Sequence, residues 1–253
     1  MSPEQCPTLQ AGSNYGFQSG GLNRSMEIQL PLNYSPDNGA IPLVFAWHGF
    51  GGTARGFLAG DLARTALTKN VILVVPQATV QGGQSTFDAF NLAPQNPDVT
   101  FFDDIITCAS KSFNVDQDKI YVTGMSNGGM MSGALLASRA SKLAAAAPFS
   151  GSVSMEFAEG NTAIPTLVSW GGVTDFAYQQ NFDKLASEMI QKLNDKGHFV
   201  VGCNHNLGHN MPTGSWAWAL DFLLAHNRGD TSSPFEAGLD ETLPSYCEIK
   251  SQN

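Results

Sequence analysis

Ser126 is the centre of Gly124-Met125-Ser126-Asn127-Gly128, which follows the apolar run Ile120-Tyr121-Val122-Thr123 and precedes a stretch of small residues and methionines. Apolar strand, tight turn and helix in that order would present the hydroxyl for nucleophilic attack. Glycines two before and two after suit it, because such a turn strains the backbone and leaves no room for Cβ atoms beside the serine. A serine hydroxyl is a poor nucleophile at neutral pH, so it needs a base within hydrogen-bond reach, and neutral imidazole fits that task. His209, in Gly208-His209-Asn210-Met211-Pro212, is the expected base. Asp175, closing Gly171-Gly172-Val173-Thr174-Asp175, is the expected carboxylate for the other ring N–H. The backbone N–H groups of Asn127 and of Phe50, after His48-Gly49, are the expected donors to an oxyanion. The chemistry these residue types imply is acyl transfer through a serine.

Other side chains compete for these roles. Asp183 is the reserve acid but falls inside an expected helix, and His205 lies four residues before His209 in one loop, where second-rank support or loop packing suits it. His48 reads as a loop organiser, and His198 and His226 as strand-start and helix-end residues. Asp103-Asp104 reads as the acidic opening of a helix, and Trp216 and Trp218 as core. No metal site or cofactor is expected, since His205 and His209 are joined by Asn-Leu-Gly without a third ligand.

The elements that position these groups alternate. A strand is expected over 25–32, and a buried strand over 41–47 runs into a glycine-rich loop. Thr53 caps a helix to about Lys69, and a second buried strand over 71–75 stops at Pro76. Residues 77–99 show no period and are broken by Gly82-Gly83, Pro94 and Pro97. This loop carries Phe87 and Phe90, which are expected to line a substrate site. Helix 101–113, strand 120–123, helix 128–139, strands 143–149 and 165–170, helix 178–196, strand 198–203 and helix 215–226 follow, with a coil tail over 227–253. Such alternation implies an α/β fold with a mostly parallel sheet, helices on both faces and ligands at the carboxyl ends of its strands. The order Ser, Asp, His is that of α/β-hydrolases.

Length and charge bound the rest. The 253 residues suit one domain, 1–253, with a catalytic core over about 25–226. A formal charge of −9 opposes nucleic acid and anionic membranes, and no run approaches the roughly 18 apolar residues of a membrane span. A monomer acting on a small or polymeric ester is expected. Four dispersed cysteines, with low charge and polar loops, point to a secreted protein whose signal has been removed, either disulfide-bonded in one of three pairings or with buried thiols. Asn23 and Asn33 match the glycosylation acceptor pattern.

From Tyr121 to Met131, at 43–52, 114–122 and 208–212, and in the Gly-x-x-x-Asp stretch ending at Asp175, the chain resembles the secreted esterases of the polyhydroxybutyrate depolymerase and feruloyl or acetylxylan esterase group. The resemblance implies an α/β-hydrolase with little or no lid, Ser126, Asp175 and His209 as triad, and a substrate contact around Phe87 and Phe90. Trp170-Gly171-Gly172 replaces the more usual His-Gly, so Phe50 and Trp170 are expected to wall an aromatic cleft for feruloyl, aromatic-diester or polyester chains. Acetylxylan or short-chain esters are the alternative substrates. Peptidases and acyltransferases share the triad, and a non-catalytic binding module is the reading of another class. A Cys203–Cys247 bridge would anchor the histidine loop and the tail, leaving Cys6 to Cys108; free thiols or another pairing are the alternatives.

Overall fold

The computed structural model describes residues 1–91, 95–151, 157, 160 and 162–250. Strand β1 (Gly12–Ser19) and β2 (Leu22–Gln29) form a hairpin ahead of β3 (Ile41–Trp47). Helices α1 (Ala54–Leu58) and α2 (Asp61–Thr68) lead to β4 (Ile72–Pro76), a small hairpin of β5 (Thr79–Gln81) and β6 (Gln84–Thr86), and α3 (Pro97–Ser112). Then come β7 (Val115–Met125), α4 (Asn127–Arg139), β8 (Ala145–Phe149) and β9 (Thr166–Trp170). A second small hairpin, β10 (Phe176–Ala177) with β11 (Gln180–Asn181), precedes α5 (Phe182–Asp195), β12 (Val200–Asn204), α6 (Ser215–Leu224) and β13 (Cys247–Ile249).

Among the described residues, one nine-stranded sheet has the order β1-β2-β4-β3-β7-β8-β9-β12-β13. From β4 to β12 every pairing is parallel, with antiparallel strands at the two margins. The two-residue side-chain period divides β3 between two layers. Leu43, Phe45 and Trp47 face the core shared with α3, α4 and α5, whereas Val44 and Ala46 face the core shared with α1, α2 and α6. Both faces are therefore buried, which is why these strands read as continuous apolar runs. Trp216 and Trp218 are core residues against Phe149.

Several expectations need correction. The helix expected over 53–69 is split: Thr53 does accept from the Gly56 N–H, but Ala59 is extended and Gly60 takes φ of 84°. Gly82-Gly83 does not merely break structure; both glycines have positive φ and turn the β5–β6 hairpin, as the twist of two-residue hairpins requires. Tyr178 and Gln179, expected to start a helix, make the equivalent turn of the β10–β11 hairpin with φ of 46° and 64°. The Asp103-Asp104 pair lies past the first turn of α3, because Asn96 caps that helix and Pro97 opens it. Asp103 instead pairs with Arg139 and Lys142, and Asp104 with Ser19 and the N-terminal amine. The tail is not all coil. Its β13 adds an antiparallel margin to β12, with Cys203 opposite Cys247 and the two bonded, while Cys6 is bonded to Cys108.

Because the Cys203–Cys247 bridge closes a loop with a sequence separation of 44, replacing both cysteines by alanine is expected to cost about 2–4 kcal/mol. Urea unfolding measures it, and an unchanged midpoint would contradict it. Burial also pushes the His198 imidazole from 6.5 to about 4, its Nδ1 lying 3.0 Å from the Ile164 carbonyl oxygen. The unfolded chain thus takes up this proton first, and the contribution is whole above pH 6.5 and lost as pH falls toward 4. The melting temperature is expected to fall across that window, and less steeply in His198→Gln; parallel melting curves would refute it.

Candidate active site

The carboxyl ends of β3, β4, β7, β8, β9 and β12 lie along one edge of the sheet, because those strands run parallel. Ser126 stands between β7 and α4 with φ of 57° and ψ of −121°, a conformation costly for any residue with a Cβ. Two bonds hold it there: its N–H donates to the Phe149 carbonyl at 2.9 Å, and its carbonyl accepts from the Met130 N–H. The flanking glycines are required by close approach. A Cβ on Gly128 would lie 1.9 Å from the Trp47 carbonyl oxygen, and one on Gly124 would lie 2.6 Å from it.

His209 Nε2 lies 2.9 Å from Ser126 Oγ, and its Nδ1 lies 2.7 Å from Asp175 Oδ1. Asp175 is fully buried, yet its other oxygen accepts from the Ser150 hydroxyl at 2.7 Å and the Gly171 N–H at 2.8 Å. Burial pushes the carboxyl up, but the hydrogen bonds from His209, Gly171 and Ser150 outweigh it and hold the pKa below its usual value. The acid and histidine loops are tied at their base, where the Gly208 N–H donates to the Gly171 carbonyl and a Cβ on Gly171 would lie 1.8 Å from the Gly208 oxygen.

Phe50 and Asn127 flank the serine, and neither backbone N–H has a protein partner among the described residues. The loop carrying Phe50 is held by His48, whose Nδ1–H donates to the Gly49 carbonyl at 2.8 Å while Nε2 accepts from the Ala78 N–H. Burial lowers the His48 pKa, which keeps the ring neutral and that donor–acceptor arrangement intact. The Asn127 side chain clamps the neighbouring loop, accepting from the Phe87 N–H at 2.7 Å and donating to the Phe87 carbonyl at 3.1 Å.

A cavity of about 240 Å³ opens beside Ser126, walled by Phe50, Phe90, Met130, Tyr178 and Phe182 with Thr86, Asn127 and Gln180. Of the four aromatic residues expected to contact substrate, Phe50 and Phe90 line this cavity, and Phe87 and Trp170 do not. Phe87 is buried against Trp47 and His48, since its backbone serves the Asn127 clamp and turns its ring into the core. Trp170 is buried, and its Nε1–H donates to Asp183, the reserve acid, whereas His209 Nδ1 meets Asp175. His205 lies outside the hydrogen-bonded Ser126–His209–Asp175 row; its Nδ1 accepts from the Leu207 N–H and its ring meets Tyr246.

Three contributors escape sequence reading. Ser150 follows β8 at the same edge, a position that could have flagged it. Phe182, whose ring stacks on His209 with centroids 4.5 Å apart and 27° between planes, and Tyr178, whose ring meets Phe50 at 4.9 Å, lie in a stretch read as plain helix.

The parallel sheet, the strained serine and the aligned histidine and aspartate define an α/β-hydrolase. The chain belongs to the prolyl oligopeptidase family, whose model matches residues 65–201. It is similar to feruloyl esterase D of Neurospora crassa, 32% identical over 171 residues that cover 62% of this chain and 56% of the relative. The probable acetylxylan esterase A of Neosartorya fischeri is 28% identical over 188 residues, 68% of this chain and 50% of that one. The chain thus spans about half the length of these relatives. The crystal structure of native pOPH superposes with a TM-score of 0.75 at 18% identity, covering 98% of both chains, a likeness of fold. Among the described residues no helix is long and apolar enough to cross a membrane.

Proposed function

We propose that the chain is a secreted serine carboxylic-ester hydrolase of one domain, acting through an acyl-enzyme. The observation that carries this is the row Ser126 Oγ, His209 Nε2 at 2.9 Å, His209 Nδ1 and Asp175 Oδ1 at 2.7 Å. Ser126 Oγ attacks the ester carbonyl as His209 takes its proton, and the Phe50 and Asn127 N–H groups receive the oxyanion. Collapse breaks the C–O bond to the alcohol, which leaves with the proton from His209. Water, deprotonated by His209, then attacks the acyl-enzyme and returns Ser126. Asp175 holds the ring tautomer and stabilises the imidazolium. Two disulfides fit an oxidising compartment.

The aromatic and apolar cleft, together with the name of the feruloyl esterase relative, supports esters with an aromatic or polyester-type acyl group. The acetylxylan esterase relatives support acetylated sugar as the second reading. A panel of methyl ferulate, acetylated xylan, short p-nitrophenyl esters and a solid polyester decides between them. Methyl ferulate is expected to exceed acetylated xylan in kcat/KM, and turnover of acetylated sugar alone would overturn the aromatic reading. A fluorophosphonate should label Ser126, and failure of that labelling would overturn the hydrolase reading.

A further inference from the structure

Four of the segments at the catalytic edge carry almost no charge in a chain whose formal charge is −9. Segments 48–53, 77–91, 171–181 and 205–214, which follow β3, β4, β9 and β12, hold no lysine or arginine and only two carboxylates, Asp88 and the buried Asp175. The same segments gather apolar side chains in water. Phe50, Phe90 and Tyr178 wall the cleft and are themselves exposed. Outside the cleft stand Val80, Val173, Phe176 and Leu207, each between 57% and 82% exposed. Among the described residues the remaining exposed large apolar side chains, Met1, Tyr15, Leu22 and Leu32, all lie in the first 32 residues.

Folded surfaces ordinarily scatter such side chains singly; a contiguous set marks a surface that meets something apolar. These segments are joined to one another, through the Gly51 N–H to the Ser85 carbonyl, the Gly208 N–H to the Gly171 carbonyl, and the Phe50–Tyr178 ring contact. The charge pattern narrows the occupant. A face with no cation gives an anionic lipid nothing to bind, and the acidic body repels it. An uncharged apolar phase has no ion to desolvate, and exposed rings offer flat faces to aromatic groups.

We propose that this edge seats the protein on a water-insoluble, uncharged polymer bearing ester-linked aromatic rings, with the cleft opening onto the polymer surface. The proposal rests on the ester-hydrolase reading above. Adsorption of the disulfide-bonded full chain to amorphous poly(ethylene terephthalate) film, measured by depletion from solution, tests it. Combining Val80→Lys, Val173→Lys and Leu207→Lys changes side chains outside the row of catalytic groups. The triple variant is expected to partition onto film about tenfold less, with p-nitrophenyl acetate hydrolysis within about twofold of the parent. Wild-type adsorption should persist or strengthen in molar sodium sulfate. Equal partition of parent and variant, loss of parent adsorption in salt, or a parent dimer that the variant dissolves without any difference on film would each overturn it. Should the lysine variant fail to fold, the serine triple at the same positions is judged by the same ratio. A chain that adsorbs but hydrolyses neither ester overturns the hydrolase reading alone, whereas one that cleaves p-nitrophenyl acetate without adsorbing overturns docking alone.

Discussion

Ser126→Ala is expected to lower kcat on p-nitrophenyl acetate by about 10⁵–10⁶-fold and to abolish fluorophosphonate labelling, while the chain stays folded. Removing Oγ takes away the atom that forms the acyl bond and the hydroxyl that His209 deprotonates. What survives is the electrostatic contribution of the oxyanion donors and substrate binding, about 10³–10⁴ over water. The backbone at this position should tolerate the change, since Ser126 is held by main-chain bonds to Phe149 and Met130 and not by its hydroxyl. Alanine keeps the positive φ and its strain, so the melting temperature should move little. Retention of more than a hundredth of the activity in a folded variant would rule out Ser126 as the nucleophile.

Asp175→Asn should be nearly as damaging, about 10⁴-fold in kcat with a smaller change in KM, and the reason lies in the two donors on its second oxygen. The Ser150 hydroxyl and the Gly171 N–H both point at Oδ2, so an asparagine must place its carbonyl oxygen there and its NH₂ toward His209. His209 Nδ1 then has to accept, which puts the ring proton on Nε2, facing Ser126 Oγ. A histidine in that tautomer cannot take the serine proton. Stability follows the same group with a defined sign. Because the folded carboxyl is held below the ordinary aspartate value, its contribution is whole above the ordinary carboxylate range and is lost as pH falls through that range toward the depressed folded value. Steady-state kinetics of Asp175→Asn is the check, and a loss under tenfold would remove Asp175 from the row.

How much of this was legible follows from the range of each signal. The parallel strands were visible because burial on both faces turns them into unbroken apolar runs such as 41–47 and 71–75. Strand β1 was not, since Gly-Ser-Asn-Tyr-Gly-Phe-Gln-Ser buries only Asn14, Phe17 and Ser19, and a polar margin strand has too few apolar residues to show a period. The two small hairpins were missed for a related reason. At two or three residues each, their strands are too short to carry a pattern, and only the turn geometry at Gly82-Gly83 and Tyr178-Gln179 defines them.

Side-chain direction was the harder problem. Phe87 and Phe90 lie three apart in one loop, yet the first enters the core and the second the cleft. That outcome depends on Asn127, forty residues away in the chain, gripping the Phe87 backbone. Trp170 was drawn from the cleft in the same manner by Asp183 on α5. Phe182 joined His209 only because the β10–β11 hairpin brings the start of α5 back over the acid loop, where the Phe182 N–H donates to the Asp175 carbonyl.

By itself, then, the sequence determined the alternation of strands and helices, the placement of Ser126, Asp175 and His209 just after strands, and the small residues that a strained turn demands. These are local properties, set by period, by steric room and by chain order. Tertiary structure alone decided the distances that align the three groups, the depressed pKa of Asp175, and which aromatic rings wall the cleft. Each of those depends on groups far apart in the chain meeting at one sheet edge, and a hydrogen bond or a ring contact exists only once that edge has formed.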